Sequence, residues 1–599
     1  MPVEAPDLVP VSDLNDEIKK RLAIERQRLA RAAGLQQPEH FHRPVERPFV
    51  GEERDRVTIL FGGLTWKHEA LIQAAFQGNG YKCVVIPTPN VAAFQLGKEY
   101  GNTGQCNPTY FTVGNLIQYL RGLEAQGMSK QEIIDRHVFF TAGSCGPCRF
   151  GMYEAEYRFA LQNAGYEGFR VLLFQQNDGI KAASGEPGLK FTVNFGMSML
   201  NALLLGDVVN DLVYQIRPFE VHRGETDRVF QEAVDGLGTL LRERKPFELL
   251  EHTNDVASGL LQKNRAVKDT LSVLCKIIDH LYGKEFYAGL RRTHELLNTI
   301  EVDRLKVKPV VKITGEFWAQ ITEGDGNFNM FRFLEREGAQ VIVEPIATWV
   351  AYMIHQVRNN AVARKAVDAP YRYPHWYELH KRARNELQFR QKWLALALGE
   401  AVWSHFYHRI TKRLGGITHP LVPQKELARL ADPFYNKLAR GGEGHLEVGK
   451  NVYYTVHHLC HMVLGLKPFG CMPSSQSDGA QSGVVNKFKD MIYLPIETSG
   501  EGEVNAHSRV QMALGEAKVK AKAEFEQALL RTGKSLEEIR AYVEEHPELK
   551  RPFYRVPHRE GVAGTAANFV LHVSERMDRE GRFRRRARVR VPATNGAAA

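Results

Sequence analysis

Seven cysteines are spread through 599 residues, and four of them share one kind of neighbourhood. Cys145 and Cys148 form a Cys-x-x-Cys pair in Ser144-Cys145-Gly146-Pro147-Cys148-Arg149-Phe150-Gly151, between an apolar run at 137–140 and a helical pattern at 152–163. Cys106 lies in Gly104-Gln105-Cys106-Asn107-Pro108, just ahead of a helical stretch. Cys471 lies in Phe469-Gly470-Cys471-Met472-Pro473, past a strand-like run and before a helix. The first N–H groups of a helix lack internal partners, and the dipole there favours negative charge. Such a position is expected to lower a thiol's pKa and supply the thiolate that metals and disulfides need. Glycine or proline flanks each of the four, so backbone can approach a bound group closely.

Four thiolates can hold a [4Fe–4S] cluster whose potential the helix-start N–H groups would tune. They can equally close a Cys₄ zinc site. Structural zinc more often draws on two Cys-x-x-Cys knuckles, whereas here one pair joins two distant singletons. That dispersal favours a cluster at a domain junction, with zinc as the alternative. Cys-Gly-Pro-Cys is also the thioredoxin tetrad, so a dithiol oxidoreductase using Cys145 and Cys148 is a further reading. Against it, Ser144 precedes the pair in place of an aromatic residue, and dithiol exchange has no use for Cys106 or Cys471.

The other candidates carry less. Cys460 sits in His457-His458-Leu459-Cys460-His461, where a helix would put His457 and His461 on one face. The glutamate of a metalloprotease motif is missing, so packed or surface histidines are the expectation. Cys83 reads as a strand core residue and Cys275 as an ordinary helix residue. No Gly-x-x-x-x-Gly-Lys-Ser/Thr run occurs, so the chain has no P-loop for ATP. Gly324-Asp325-Gly326-Asn327 lacks the remaining spacing of a calcium loop and reads as a flexible loop.

The elements that must position the thiols alternate as strands and helices. The expected fold class is α/β, with two open, mainly parallel-sheet domains, helical insertions and a helical C-terminal region. Residues 1–55 read as an N-terminal helical extension with a polar helix at about 14–33. Residues 56–215 form the first α/β domain, carrying Cys106 and Cys145/Cys148; 216–304 is a helical connecting region. Residues 305–520 form the second α/β domain, with a basic, aromatic helical insertion at about 350–440 and Cys471. A helical region and an Arg-rich tail fill 521–599.

Composition sets the frame. Hydrophobic residues at 43% and charged residues at 25% are those of an ordinary soluble protein. No run of 18 apolar residues predicts a membrane span, and Met1-Pro2-Val3-Glu4-Ala5-Pro6 lacks a secretory pattern, so the cytoplasm is the expected compartment. Seven cysteines are too few for a disulfide scaffold. Part of the net charge of +10 sits between Arg576 and Arg590, where eight arginines face Asp578 and Glu580. That tail is either a solvated end or a contact for an acidic partner, and no nucleic-acid-binding motif stands beside it.

Read together, Cys106, the Cys145/Cys148 segment running through Arg149-Phe150-Gly151, and Pro468-Phe469-Gly470-Cys471-Met472-Pro473 resemble the 2-hydroxyacyl-CoA dehydratase / benzoyl-CoA reductase superfamily. The likeness is to the cluster-bearing half of the large activase-related proteins. It covers roughly residues 56–520, with Gly315-Glu316-Phe317 and Glu497-Thr498-Ser499-Gly500-Glu501 also similar. The resemblance implies Cys106, Cys145, Cys148 and Cys471 as ligands of one [4Fe–4S] cluster. It implies a separate ATP-hydrolysing activator with its own cluster as electron donor, and a small molecule or an acyl-CoA thioester as acceptor. The kinase-like ATPase half of those proteins is absent here. Double-cubane members need six cysteine ligands, more than the well-placed ones in this chain. Catalytic residues, substrate and oligomeric state, homo- or hetero-, stay open at this point. A cluster- or zinc-binding structural protein with a partner on its basic tail is the non-enzymatic alternative.

Overall fold

Parallel strands covered on both faces draw mainly on apolar residues, and the strand runs of this chain are mainly apolar, with single buried cations such as Arg170, Lys312 and Lys467 among them. In chain order the first set is β1 (Thr58–Phe61), α1 (Trp66–Gly78), β2 (Lys82–Val85), α2 (Val91–Tyr100), α3 (Asn107–Ala125), α4 (Lys130–Arg136), β3 (His137–Gly143), α5 (Tyr153–Asn163) and β4 (Arg170–Gln175). These strands form one all-parallel sheet in the order β2-β1-β3-β4. Ile59 and Phe61 of β1 pack into one core with α1, while Leu60 between them enters another with Val113, Leu116 and Tyr157. That alternation puts helices on both faces of the sheet.

A helical stretch follows: α6 (Val193–Ile216), α7 (Glu225–Glu243), α8 (Arg265–Tyr282) and α9 (Lys284–Leu297). The second α/β set is β5 (Val310–Gly315), α10 (Phe317–Ile321), α11 (Met330–Arg336), β6 (Gln340–Ile342), α12 (Ile346–Ala363), α13 (Leu379–Arg413), α14 (Gln424–Ala431), α15 (His445–Val456), β7 (Met462–Pro468), α16 (Met472–Lys487) and β8 (Tyr493–Thr498). Its sheet is again four-stranded and parallel, ordered β6-β5-β7-β8. Strand order is thus the same in both sheets, a repetition that the sequence does not display. Helices α17 (Glu503–Thr532), α18 (Leu536–Glu545) and α19 (Thr565–Arg590) complete the chain.

This computed structural model describes residues 46–143, 148–175, 188–249, 265–439 and 442–590, with scattered helical positions between 18 and 32. The chain divides into the units Met1–Pro44 and Val45–Ala599. Both sheets therefore belong to one compact unit, where the sequence predicts two domains. The expected helix at 14–33 and the residues from Ser144 to Pro147, Cys145 among them, fall largely or wholly outside the described residues.

Helix α6 ties the two sheets together. It is the one described helix long and apolar enough to cross a membrane, counted over Val193–Phe219, yet most of it is buried. Leu204, Leu205, Val208 and Val209 pack into the first core, and Tyr214 joins the second. Its Asp207, 2% exposed, accepts His68 Nε2 at 3.0 Å and the amides of Ile346 and Ala347 at 2.7 and 2.8 Å. Pro345, the residue ahead of α12, has no side-chain cap to offer, so a buried carboxylate from another helix takes that place.

The connections leaving the carboxyl ends of the two sheets meet. Lys67, just past β1 and 1% exposed, pairs with Glu323 past β5 at 2.6 Å. The Val91 amide, past β2, donates to Asp325 Oδ2 at 3.0 Å. The 324–327 loop, expected to be flexible, is in fact a short 3₁₀ turn wedged under Trp318, with Asn327 buried and donating to the Ala319 and Thr322 carbonyls.

Gly315 ends β5 with φ of +116°, and a Cβ there would lie 2.0 Å from the Leu466 carbonyl oxygen. Gly315→Ala therefore carries both backbone strain and a clash with the neighbouring strand, together costing about 3 kcal/mol or more. The expected result is a clear drop in the thermal midpoint; an unchanged midpoint would show that the turn has room for a side chain.

Candidate functional site

The three described cysteines of the sequence-level set all occupy the residue just ahead of a helix. Cys106 precedes α3, Cys471 precedes α16, and Cys148 precedes a 3₁₀ turn, Arg149–Met152, that leads into α5. None makes a side-chain capping hydrogen bond. Some other helices start on good caps whose oxygens do bond the helix, Thr65, Asn90, Ser129, Thr192 and Ser535 among them, while others start uncapped on glycine or proline, as at Gly224, Pro345 and Pro423. Replacing such a cap typically costs about 1 kcal/mol per helix. Three helix starts therefore carry thiols where a hydroxyl or amide would stabilise the fold more.

Topology explains why these starts lie close together. In each sheet the chain leaves the first strand toward one edge and resumes with the third strand on the other side. Ligand sites form at such a switch point, outside the carboxyl ends of the strands. Cys148 follows β3, the third strand of its sheet; Cys471 follows β7, the third strand of the other; Glu316 follows β5, the first strand of that second sheet. Cys106 enters from the connection after β2.

Direct contacts join these loops. The Asn107 amide donates to the Phe469 carbonyl at 3.0 Å, and a Cβ on Gly470 would lie 3.4 Å from Cys106 Cα. Arg149 donates to the Gly104 carbonyl, tying the Cys148 turn to the Cys106 loop. The Cys106 sulfur lies 3.1 Å from both the Thr109 and the Tyr153 hydroxyls, with Tyr153 buried at the start of α5. Burial raises all three thiols above the ordinary range, Cys148 to about 12, and the carboxylate of Glu316 adds to the shift at each. Cys148 also senses Cys106, and Glu443 acts on both Cys148 and Cys471. One pair of carboxyls thus lies within electrostatic reach of thiols from both sheets.

That carboxyl pair is the part of the site that sequence reading missed. Glu316 caps α10, accepting the Ala319 amide at 2.9 Å, and Glu443 accepts the adjoining Phe317 amide at 2.6 Å. Glu443 is 3% exposed, and Glu447, one helical turn on, is fully buried beside Lys467 at 3.2 Å. Burial first, then repulsion among these carboxylates, holds Glu316 and Glu443 well above the usual carboxylate range. Neighbouring Glu344 goes the other way: Lys312 at 2.6 Å and Lys450 at 3.8 Å overcome the effect of burial and hold it near 2. The available signal was glycine-rich: Glu443 stands in Gly441-Gly442-Glu443-Gly444, directly ahead of a helix.

The remaining candidates separate from the site. His457 and His461 do not share a helix face. Helix α15 ends at Val456, His458 takes a left-handed φ of 50°, and His461 leads into β7. His457 pairs with Glu426 and His461 with Glu524. Cys460 packs beside the Tyr352–Tyr454 core, Cys83 is buried in β2, and Cys275 lies on α8. Among the described residues no three His, Cys, Asp or Glu side chains are gathered tightly enough to hold a single metal ion. No protein-family model, curated protein or solved structure matches this chain.

The donors present are of the type that a multi-atom cluster takes. Thiols arrive at helix starts from both sheets, and the Tyr153 and Thr109 hydroxyls lie against the Cys106 sulfur.

Proposed function

We propose that this chain is a cytoplasmic iron–sulfur redox protein of the 2-hydroxyacyl-CoA dehydratase type, with each sheet and its helices acting as one α/β domain. Cys106, Cys145, Cys148 and Cys471 would hold one [4Fe–4S] cluster at the seam between them. The observation that supports this most is the meeting of thiol-bearing helix starts from two sheets beside Glu316 and Glu443. When bound, such a cluster supplies single electrons at low potential.

The protein's own groups have defined parts. Tyr153 and Thr109 orient the Cys106 sulfur by their hydroxyls. Glu316 and Glu443, raised by burial, keep a proton near neutral pH next to the thiols, so a negative charge arriving there can be matched by proton transfer. Electron delivery comes from an ATP-hydrolysing activator with its own cluster. Met152, Phe469 and Met472, 61%, 60% and 42% exposed, flank Cys148 and Cys471 in sequence and offer an apolar rim for that contact. The acceptor is a small molecule, with an acyl-CoA thioester as the first class to try. The test is anaerobic reconstitution with iron and sulfide, followed by metal and sulfide analysis and EPR of the reduced protein. About four irons per chain with a reduced-cluster signal is expected; stoichiometric zinc with negligible iron would remove the proposal.

A further inference from the structure

A second cavity lies at the amino end of the second sheet, away from the thiols. It measures about 720 Å³, within the range of small-molecule sites. Val310 and Ile342 reach it from β5 and β6, and Ile216 and Phe219 from the end of α6. Strand β5 runs from Val310 at this cavity to Gly315 beside the cysteine site, five steps or about 16 Å along the strand.

Its charges are one-sided. Among the described residues the lining includes Arg304, Arg555, His419 and His558, and no Asp or Glu. Arg304 is 8% exposed and has no ion pair among the described residues. Its guanidinium is hydrogen-bonded to three carbonyls, Leu549 at 2.9 Å, Arg551 at 2.8 Å and Pro552 at 2.6 Å, and lies over the Phe569 ring at 6.0 Å. Three of its five N–H donors are thereby used, and two are left. A buried cation without a counter-anion is costly, and an anionic ligand would offset that cost. His419 is braced from behind. Asp211 takes its Nδ1–H at 2.8 Å and its amide at 2.7 Å, while Gln215 donates to the same carboxylate at 2.8 Å. That leaves Nε2 as the ring nitrogen without a protein partner among the described residues.

We propose that this cavity binds an apolar monocarboxylate, its chain among Ile216, Phe219, Val310 and Ile342 and its carboxylate toward Arg304 and the rim residue Arg555. This site is independent of the cysteine centre and stands whether or not a cluster is bound there.

The test is displacement of the fluorescent anion 8-anilinonaphthalene-1-sulfonate from the full chain by three ten-carbon competitors: decanoate, decanol and decylammonium. Decanoate is expected to compete at least about tenfold better than either of the others. Leu459→Trp, which fills the cavity, should abolish decanoate competition. The exposed change Arg555→Glu should weaken decanoate about tenfold and leave decanol unchanged, with iron content after reconstitution unaffected. Equal binding of decanol and decanoate, or decanoate affinity that survives both substitutions, would overturn the proposal.

Discussion

Cys471→Ser protein will take up no more than about one-tenth of the iron of the parent on reconstitution, while its metal-free form will unfold at the same or a higher temperature. The two halves of this result have separate causes. Disturbing even the outer partners of a metal site commonly costs about tenfold to a hundredfold in affinity, and loss of a ligand sulfur costs no less. Serine, however, is a far better cap than cysteine, and Cys471 opens the sixteen-residue helix α16 without a capping bond. The substitution therefore offers the fold on the order of 1 kcal/mol that the thiol forgoes. Cys106→Ser should behave alike in iron content, but with less gain in stability, because the Thr109 and Tyr153 hydroxyls already engage its sulfur. Iron and sulfide analysis beside thermal unfolding of the metal-free protein decides the matter. Undiminished iron in both variants would free these cysteines from any ligand role; a large fall in the metal-free unfolding temperature would make them structural.

Glu443→Gln will flatten the dependence of stability on pH. The Glu443 carboxyl binds its proton more tightly folded than unfolded, because burial and the nearby Glu316 and Glu447 disfavour its charge. Its contribution is then full below the ordinary carboxylate value of about 4.5 and is lost as pH rises through the folded value of about 8. The parent should lose stability between pH 5 and pH 9. Glutamine keeps an oxygen for the Phe317 amide, which donates to Glu443 at 2.6 Å, and it carries no charge to bury. At pH 9 the variant should be more stable than the parent, by on the order of 2 kcal/mol given the coupling to Glu316, and at pH 5 nearly equal to it. Thermal unfolding across that range is the measurement, and parallel curves for the two proteins would contradict it.

Much of the scaffold could be read in advance because buried parallel strands and capped helices write their own signals. The eight strands lie on short, mainly apolar runs of the kind that local pattern marks. Two helices of the first sheet leave a weak local signal. Helix α4 is only seven residues long. Helix α2 contains Gly97, which weakens a helix taken alone. In the fold that glycine is required, since a Cβ there would lie 1.9 Å from the Tyr110 carbonyl oxygen of α3. A close helix–helix contact outweighs local propensity, and that contact is invisible to periodicity. His457 to His461 has helix-like spacing, but α15 stops at Val456 and a left-handed residue turns the chain into β7, leaving one surface and one packed histidine, each paired with a glutamate, as expected.

By itself the sequence determined which side chains could do chemistry and that Cys106, Cys148 and Cys471 would stand where a strand or loop hands over to a helix, because apolar runs, prolines and glycines are local marks. Only the tertiary structure decided which of those junctions face one another. It brought Cys106 and Cys471 together across two sheets and set Glu443 beside Glu316, although more than a hundred residues separate them. It also left Arg304 without a counter-anion among the described residues, at the amino end of the second sheet. Each of these depends on strand order and on packing between distant segments, for which no local pattern in the chain stands as a record.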